Sequence, residues 1–279
     1  MAFAWTLRRS FAIMAIREAR VLGPTATTQR DRTAMMLTLK SDNDLRASRT
    51  LLRQRGLDFS DPKRLGLWRL PYKIRFRVDL PNADVLKSWD VANALRLIEA
   101  NVPDHHAPIL DMGCFNSEIL YALHNLGYRD VHGCDLNPLC RWMPYWHKID
   151  YRAADLTKTP YSDGQFAAIT CMSVVEHGVP LEPFVDEVKR LLRPGGLFVF
   201  TTDYDASGTP HEIDPQLRLF GQTWTIFTPE TLRALVDRFL ARGFTYLDPG
   251  SLDGTHPESP VHWNDQDYTF VMVALRAPG

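Results

Sequence analysis

ILDMGCFNSEIL, residues 109–120, is the stretch on which the fold turns. An apolar run from Pro108 to Met112 carries an acid at Asp111 and breaks at Gly113. An amphipathic run from Ser117 to Leu126 follows and stops at Gly127. Strand, tight turn and helix in that order open a βαβ unit, and the free amide N–H groups at such a helix start favour an anionic or nucleotide-like ligand.

Outward from that stretch the chain keeps alternating. Short apolar segments at Val131 to Asp135, Ile149 to Ala153, Phe166 to Met172 and Gly196 to Thr202 read as strands. The nearly unbroken apolar character of Phe166 to Met172 suits a strand buried on both faces. Leu181 to Leu192 repeats apolar residues at Leu181, Phe184, Val185, Val188, Leu191 and Leu192, one face of a helix. Thr228 and Pro229 supply an N-cap and a first-turn proline for a helix through Leu240, with Gly243 beyond it. Tyr268 to Leu275 reads as a last strand. This alternation predicts an α/β fold with a doubly wound, mostly parallel sheet.

Upstream, Val85 to Ala100 has near-helical apolar spacing closed by Pro103, Asp42 to Gly56 predicts a helix studded with arginine, and Trp5 to Val21 an amphipathic helix ended by Gly23 and Pro24. A loop punctuated by Pro62, Gly66, Pro71 and Pro81 separates these from the rest. Residues 1–77 hold 17 Lys and Arg against 6 Asp and Glu, whereas 78–279 hold 15 against 27. The expected division is a basic, mainly helical N-terminal cap over 1–84 and a catalytic domain over 85–279. The basic part suits docking onto its own acidic neighbour, and equally suits phosphates, anionic lipid or an acidic substrate.

The 279 residues, 45% hydrophobic and 23% charged, suit a chain with a sizeable core and argue against extended disorder. Cys114, Cys134, Cys140 and Cys171 lack CxxC spacing, which points to reduced thiols and a cytoplasmic location. Phe11 to Ile16 is stopped by Arg17, too short for a transmembrane span, while the arginine-rich, acid-poor start also matches the composition of a mitochondrial presequence. Trp5 and Phe11 beside arginines suit weak contact with a membrane surface.

A carboxylate at the end of the second strand, Asp135 in HGCDLNP, can accept both hydroxyls of a ribose, and Asp155 after the third strand can accept an adenine amino group. With these residues in place, ILDMGC, HGCDLNP, AADLTKTPYSDGQF, ITCMSVVEHG and RLLRPGGLFVFTTDY together resemble the class I S-adenosylmethionine-dependent methyltransferases, especially their small-molecule and glycan-pathway branch, over roughly Val102 to Leu275. The resemblance implies a seven-stranded Rossmann-like sheet with an antiparallel last strand and S-adenosylmethionine across its strand ends, leaving S-adenosylhomocysteine as product. It assigns Asp111, Gly113, Cys114, Phe115, Asn116 and Ser117 to the cofactor loop, Asp135 and Leu136 to the ribose side, Asp155 and Leu156 to the adenine side, and Met172 and Ser173 to the floor beside the cofactor. Where the family usually has DxGxGxG, Phe115 and Ser117 replace the second and third glycines.

For the acceptor, His177 in SVVEHG is the first candidate for a base, its other role being to brace the turn with Glu176. Asp203, Tyr204 and His211 follow the fifth strand at the same sheet end and are candidate catalytic residues, with Trp224 and Phe220 as candidate stacking partners. This Asp and His group has no compact metal-ligand motif, so no metal is assigned. The expected activity is methyl transfer to a small polar acceptor, a sugar or secondary metabolite, with oxygen favoured.

Two alternatives stand beside it. A nucleic-acid methyltransferase would explain the basic N-terminus, yet CMSVVEH is neither an NPPY-type nor a PC-type motif. A degenerate, non-enzymatic binding scaffold would follow if Phe115 blocked the cofactor. A nicotinamide enzyme is disfavoured because GCFNSE lacks the GxGxxG fingerprint. Oligomeric state and acceptor identity are not encoded in any motif.

Overall fold

A computed structural model of the protein describes residues 36–58, 85–143, 147–211, 213–218, 221–247 and 258–279. The expected helix from Trp5 to Val21, the loop from Pro62 to Pro81, and Phe220 lie outside the described residues. Along the chain come β1 (Met36–Thr38), α1 (Asp42–Gln54), α2 (Ser88–Asn101), β2 (Ile109–Met112), α3 (Ile119–Leu126), β3 (Val131–Asp135), a 3-10 turn (Pro138–Trp142), β4 (Asp150–Ala153) and β5 (Phe166–Met172). There follow α4 (Leu181–Leu191), β6 (Leu192–Tyr204), α5 (Pro229–Ala241), β7 (Thr245–Tyr246), β8 (Val261–Trp263) and β9 (Gln266–Arg276).

These strands form one sheet in the order β1-β9-β6-β5-β2-β3-β4, with β7 and β8 also paired to β9. The pairs β3–β4, β2–β3, β2–β5 and β5–β6 are parallel, and β9 is antiparallel to β6, as expected. From β2 the chain winds through β3 and β4 in one direction and through β5 and β6 in the other. The strand order therefore reverses at β2, which opens a crevice above its carboxyl end.

The sheet has nine strands rather than seven. One addition, β1, comes from the segment expected to be a mainly helical cap: Met36–Thr38 pairs antiparallel with Thr38↔Val271 and Met36↔Val273 in register, covering the edge of β9. Covering that edge removes a row of unpaired backbone groups. The expected strand from Gly196 also starts earlier, at Leu192, because Leu192 pairs with Phe166 ahead of a register shift in β5.

Apolar clusters cover both sheet faces. On one, α4 sets Phe184, Val185, Val188 and Leu191 against Phe198 and Phe200 of β6, and α5 adds Leu232, Leu235, Val236 and Phe239. The sequence cues operate as expected at α5, where Thr228 and Thr231 form a reciprocal capping box. On the opposite face α2 and α3 bury Trp89, Leu95, Ile98, Ile119 and Leu123.

Residues 36–58 are fastened to this body by a buried arginine. Arg49 of α1, 3% exposed, donates to both oxygens of Glu118 (3.0 and 3.1 Å), to Asp58 (3.0 Å) and to Ser88 (2.8 Å). A guanidinium supplies five donors in a fixed fork, so one side chain satisfies groups from three separate segments. Glu118 immediately precedes α3, which places this network directly behind the loop of residues 113–117.

Candidate functional site

A cavity of about 1100 Å³ opens at the carboxyl ends of the parallel strands, the position that the strand reversal at β2 creates. Gly113, Phe115, Asn116 and Ser117 border it from the loop after β2, Asp135 and Leu136 from β3, Asp155 and Leu156 beyond β4, and Met172 and Ser173 from β5.

The loop after β2 owes its shape to two residues. Gly113 has φ +85°, and a Cβ there would stand 2.3 Å from a methyl of Val174, so both backbone conformation and space demand glycine. The second left-handed residue is Asn116, φ 66°, whereas neither Phe115 nor Ser117 has a positive φ. The two missing family glycines thus fall where this loop imposes no left-handed backbone, and the strain rests on asparagine, which tolerates it better than most residues. Phe115 packs partly buried against the core beneath α2 and α3 while its edge borders the cavity. Ser117 Oγ accepts the Ile119 N–H at 3.4 Å, a long cap for α3, which begins at Ile119 rather than at Ser117.

Asp135 ties two loops together: one oxygen accepts the Phe115 N–H at 3.0 Å and the other the Asn137 N–H at 2.7 Å. Burial raises its pKa above the ordinary carboxylate range, with both amide bonds opposing the rise. Asp155 accepts both the N–H and the hydroxyl of Thr157 at 2.8 Å. Leu156 is buried, while Leu136 stays 56% exposed at the rim, apolar surface available to a flat ligand.

Asp111 and Cys114 do not border the cavity; they lie beneath it. Asp111 is fully buried and accepts the Thr170 hydroxyl at 2.7 Å, with the Ser117 hydroxyl also beside it. Burial pushes its pKa up to about 7. Cys114 is likewise fully buried, its thiol beside that of Cys140.

The far end of the cavity is acidic. Asp203, at the end of β6, accepts the Trp224 indole N–H at 2.8 Å. Glu176, 1% exposed, accepts the Thr202 hydroxyl at 3.0 Å. Asp90, fully buried on α2, accepts the Ser173 hydroxyl at 3.3 Å and lies 3.9 Å from the Lys87 ammonium, which itself donates to Ser173 at 2.6 Å. Burial raises the pKa of all three acids, that of Asp90 to about 6. His177 borders the same end, and burial lowers its pKa to about 4, with the Lys87 charge adding to the effect.

Not every residue expected at the acceptor mouth lies there. Tyr204 follows Asp203 along β6, and alternate strand residues face opposite sides, so its ring packs with Phe227 in the cluster beneath α5. His211 is engaged with Asp205 at 2.9 Å and Gln266 at 2.6 Å, outside the cavity lining. Trp224 borders the cavity but is nearly buried, edge-on to Trp263 and Tyr268. In the other direction, Lys87 and Asp90 were not singled out from sequence, although Asp90 interrupts the apolar face of a helix, and such an interruption is itself a signal. Among the described residues no group of three or more His, Cys, Asp and Glu is arranged to hold a metal ion, and no helix is long and apolar enough to cross a membrane.

Comparison with known proteins agrees with this architecture. Residues 110–200 match a family model described as a methyltransferase domain. The chain is 28% identical over 131 residues to a ubiquinone biosynthesis O-methyltransferase of Thiobacillus denitrificans, covering 44% of this chain and 56% of that one. It is 30% identical over 98 residues to a probable phthiotriol/phenolphthiotriol dimycocerosates methyltransferase of Mycobacterium ulcerans, covering 33% and 38%. The chain thus spans about half or less of the length of these curated relatives. In fold it is similar to a chain from the complex of the Haloferax volcanii Trm112 methyltransferase activator with a methyltransferase, with a TM-score of 0.51 at 16% identity, covering 69% of this chain and 92% of that chain.

Proposed function

From the premise that this chain carries a class I, S-adenosylmethionine-dependent methyltransferase domain, we propose that it transfers a methyl group to a small polar acceptor, with oxygen as the accepting atom. The observation that carries this reading is one continuous cavity with two chemically distinct ends, a nucleotide-suited end at the strand tips and an acidic end beyond it. The O-methyltransferase among the relatives supports the choice of oxygen.

The residues fit the cofactor. The approach of Val174 to Gly113 leaves a closely folded loop without a side chain, and the carboxylate of Asp135 borders the cavity beside it. In the proposed arrangement Asp135 accepts the ribose hydroxyls, Asp155 and Leu156 hold the adenine, and the loop 113–117 receives the amino-acid tail. When bound, the donor supplies an electrophilic methyl group on a sulfonium. The chain's own work is then alignment and proton removal.

His177 is suited to the second task. With a pKa of about 4 its imidazole is neutral at pH 7 and able to take a proton. Such a weak base suffices because a hydroxyl oxygen becomes strongly acidic only as its new bond to carbon forms. Among the described residues that line the cavity Lys87 is the one lysine or arginine, a poor match to a polyanionic acceptor such as nucleic acid.

Calorimetric titration with S-adenosylhomocysteine tests the reading. One-to-one binding is expected, weakened about tenfold or more in Asp135→Ala through loss of charge-assisted hydrogen bonds. Absence of binding to folded protein overturns the reading and favours the scaffold alternative.

A further inference from the structure

We propose that the acidic end of the cavity is a seat for a protonated amine, so that the acceptor carries a cationic amino group held by Asp90, Glu176 and Asp203 against the faces of Trp224 and Trp263. This deepens the methyltransferase reading and rests on it.

Three observations converge on this occupant. The first is charge. Asp90, Glu176 and Asp203 all border the cavity and are 0%, 1% and 5% exposed, and Lys87 is the lysine among the lining residues beside them. Its ammonium is already committed, bonded to Ser173 at 2.6 Å and 4.2 Å above the ring of Phe270. Burial makes ionisation of these acids costly, and an ammonium arriving among them stabilises their charged forms, which is the pairing that a buried carboxylate requires.

The second is hydrogen bonding. The donors around the acids are few: Ser173 and Thr201 beside Asp90, Thr202 to Glu176, and the Trp224 indole and Tyr268 hydroxyl to Asp203. Asp90 Oδ1 and Glu176 Oε1 are buried with no hydrogen-bond partner among the described residues. Buried polar oxygens are almost always satisfied in the working state of a protein, so a donor has to arrive with the ligand. An ammonium brings three donors and asks for no acceptor, which matches a site of acceptors. A hydroxyl brings one donor and itself demands another.

The third is the wall. Trp224 and Trp263 border the cavity, their rings edge-on at 4.8 Å, and Tyr268 stands edge-on to Trp224 at 5.8 Å. Aromatic faces attract cations, most strongly where water is excluded. An organic ammonium can use the carboxyl oxygens and the aromatic wall together.

Benzylamine and benzyl alcohol, which share a ring and differ in the head group, test the inference by calorimetry on the full chain saturated with S-adenosylhomocysteine. Benzylamine is expected to bind at least about tenfold more tightly than the alcohol. That preference should vanish in the double variant Asp90→Asn, Glu176→Gln and shrink in Trp263→Ala, whose partly exposed site tolerates truncation if the double variant fails to fold. Equal binding of the two probes, binding of neither, or a preference that survives both variants overturns the proposal. So does a preference for S-adenosylmethionine over S-adenosylhomocysteine that disappears in the double variant, since the acids would then serve the donor's sulfonium. Failure of S-adenosylhomocysteine to bind instead strikes the methyltransferase reading itself, and is recorded separately from the amine titration.

Discussion

Asn116 and Ser173, with φ of 66° and 53°, are non-glycine residues held in the left-handed region, and both border the cavity. Strain of this kind persists only where surrounding structure enforces it, and it gathers at ligand sites. Asn116→Ala is expected to destabilise the fold by about 1 kcal/mol while Asn116→Gly costs less, a contrast that chemical denaturation reads directly. Asp111 gives a second test at this scale. Burial pushes its pKa to about 7, above the ordinary carboxylate value of about 3.9, so between those values the folded protein binds more protons than the unfolded chain. Stability from this group is therefore greatest at low pH and falls as pH rises toward 7. Relative to Asp111→Asn, whose side chain does not titrate, the wild type should lose melting temperature between about pH 4 and about pH 7. At this scale the sequence was readable where spacing fixes position, as at Gly113 and Asp135. It was not readable where the facing of one residue decides: Tyr204 shares a strand end with Asp203 but points to the opposite side.

Among elements, α1 shows what periodicity could not reveal. Its arginines predict a basic surface, yet Arg49 is buried and reaches Glu118 at the start of α3. Partners distant in sequence turned an apparent surface charge into an internal one. Arg49→Ala strips buried Glu118 of its bidentate guanidinium, while Asp58 keeps that of Arg53, and a loss of about 3 kcal/mol in unfolding free energy is expected. Arg49→Lys should recover only part of it, because a point charge cannot reproduce the bidentate fork. The same variants are expected to weaken S-adenosylhomocysteine binding, since Glu118 adjoins the loop of residues 113–117. Alternating strands and helices from β2 to α5 were legible throughout, with shifts of one or two residues at most ends. β1 was not, because three residues take strand form only through pairing with β9.

For the molecule as a whole, β1 and Arg49 join residues 36–58 to the same folded body as the sheet. We propose that residues 36–58, although they precede the division at residue 84 drawn from charge, are integral to the catalytic unit. A fragment of residues 85–279 is expected to aggregate or unfold non-cooperatively, whereas one of residues 34–279 should melt as a single transition; scanning calorimetry of the two compares them directly.

The hydroxyl of Thr269 donates to the carbonyl of Leu39, closing a span of 230 residues. A ribosome working from the amino end delivers Leu39 well before its partner, 230 residues on. Throughout that interval β2 to β6 can assemble in the nascent chain, while β1 waits for a strand not yet made. Closure of the outer edge consequently follows assembly of the strands between, and contacts of such sequence separation are the slow ones to form.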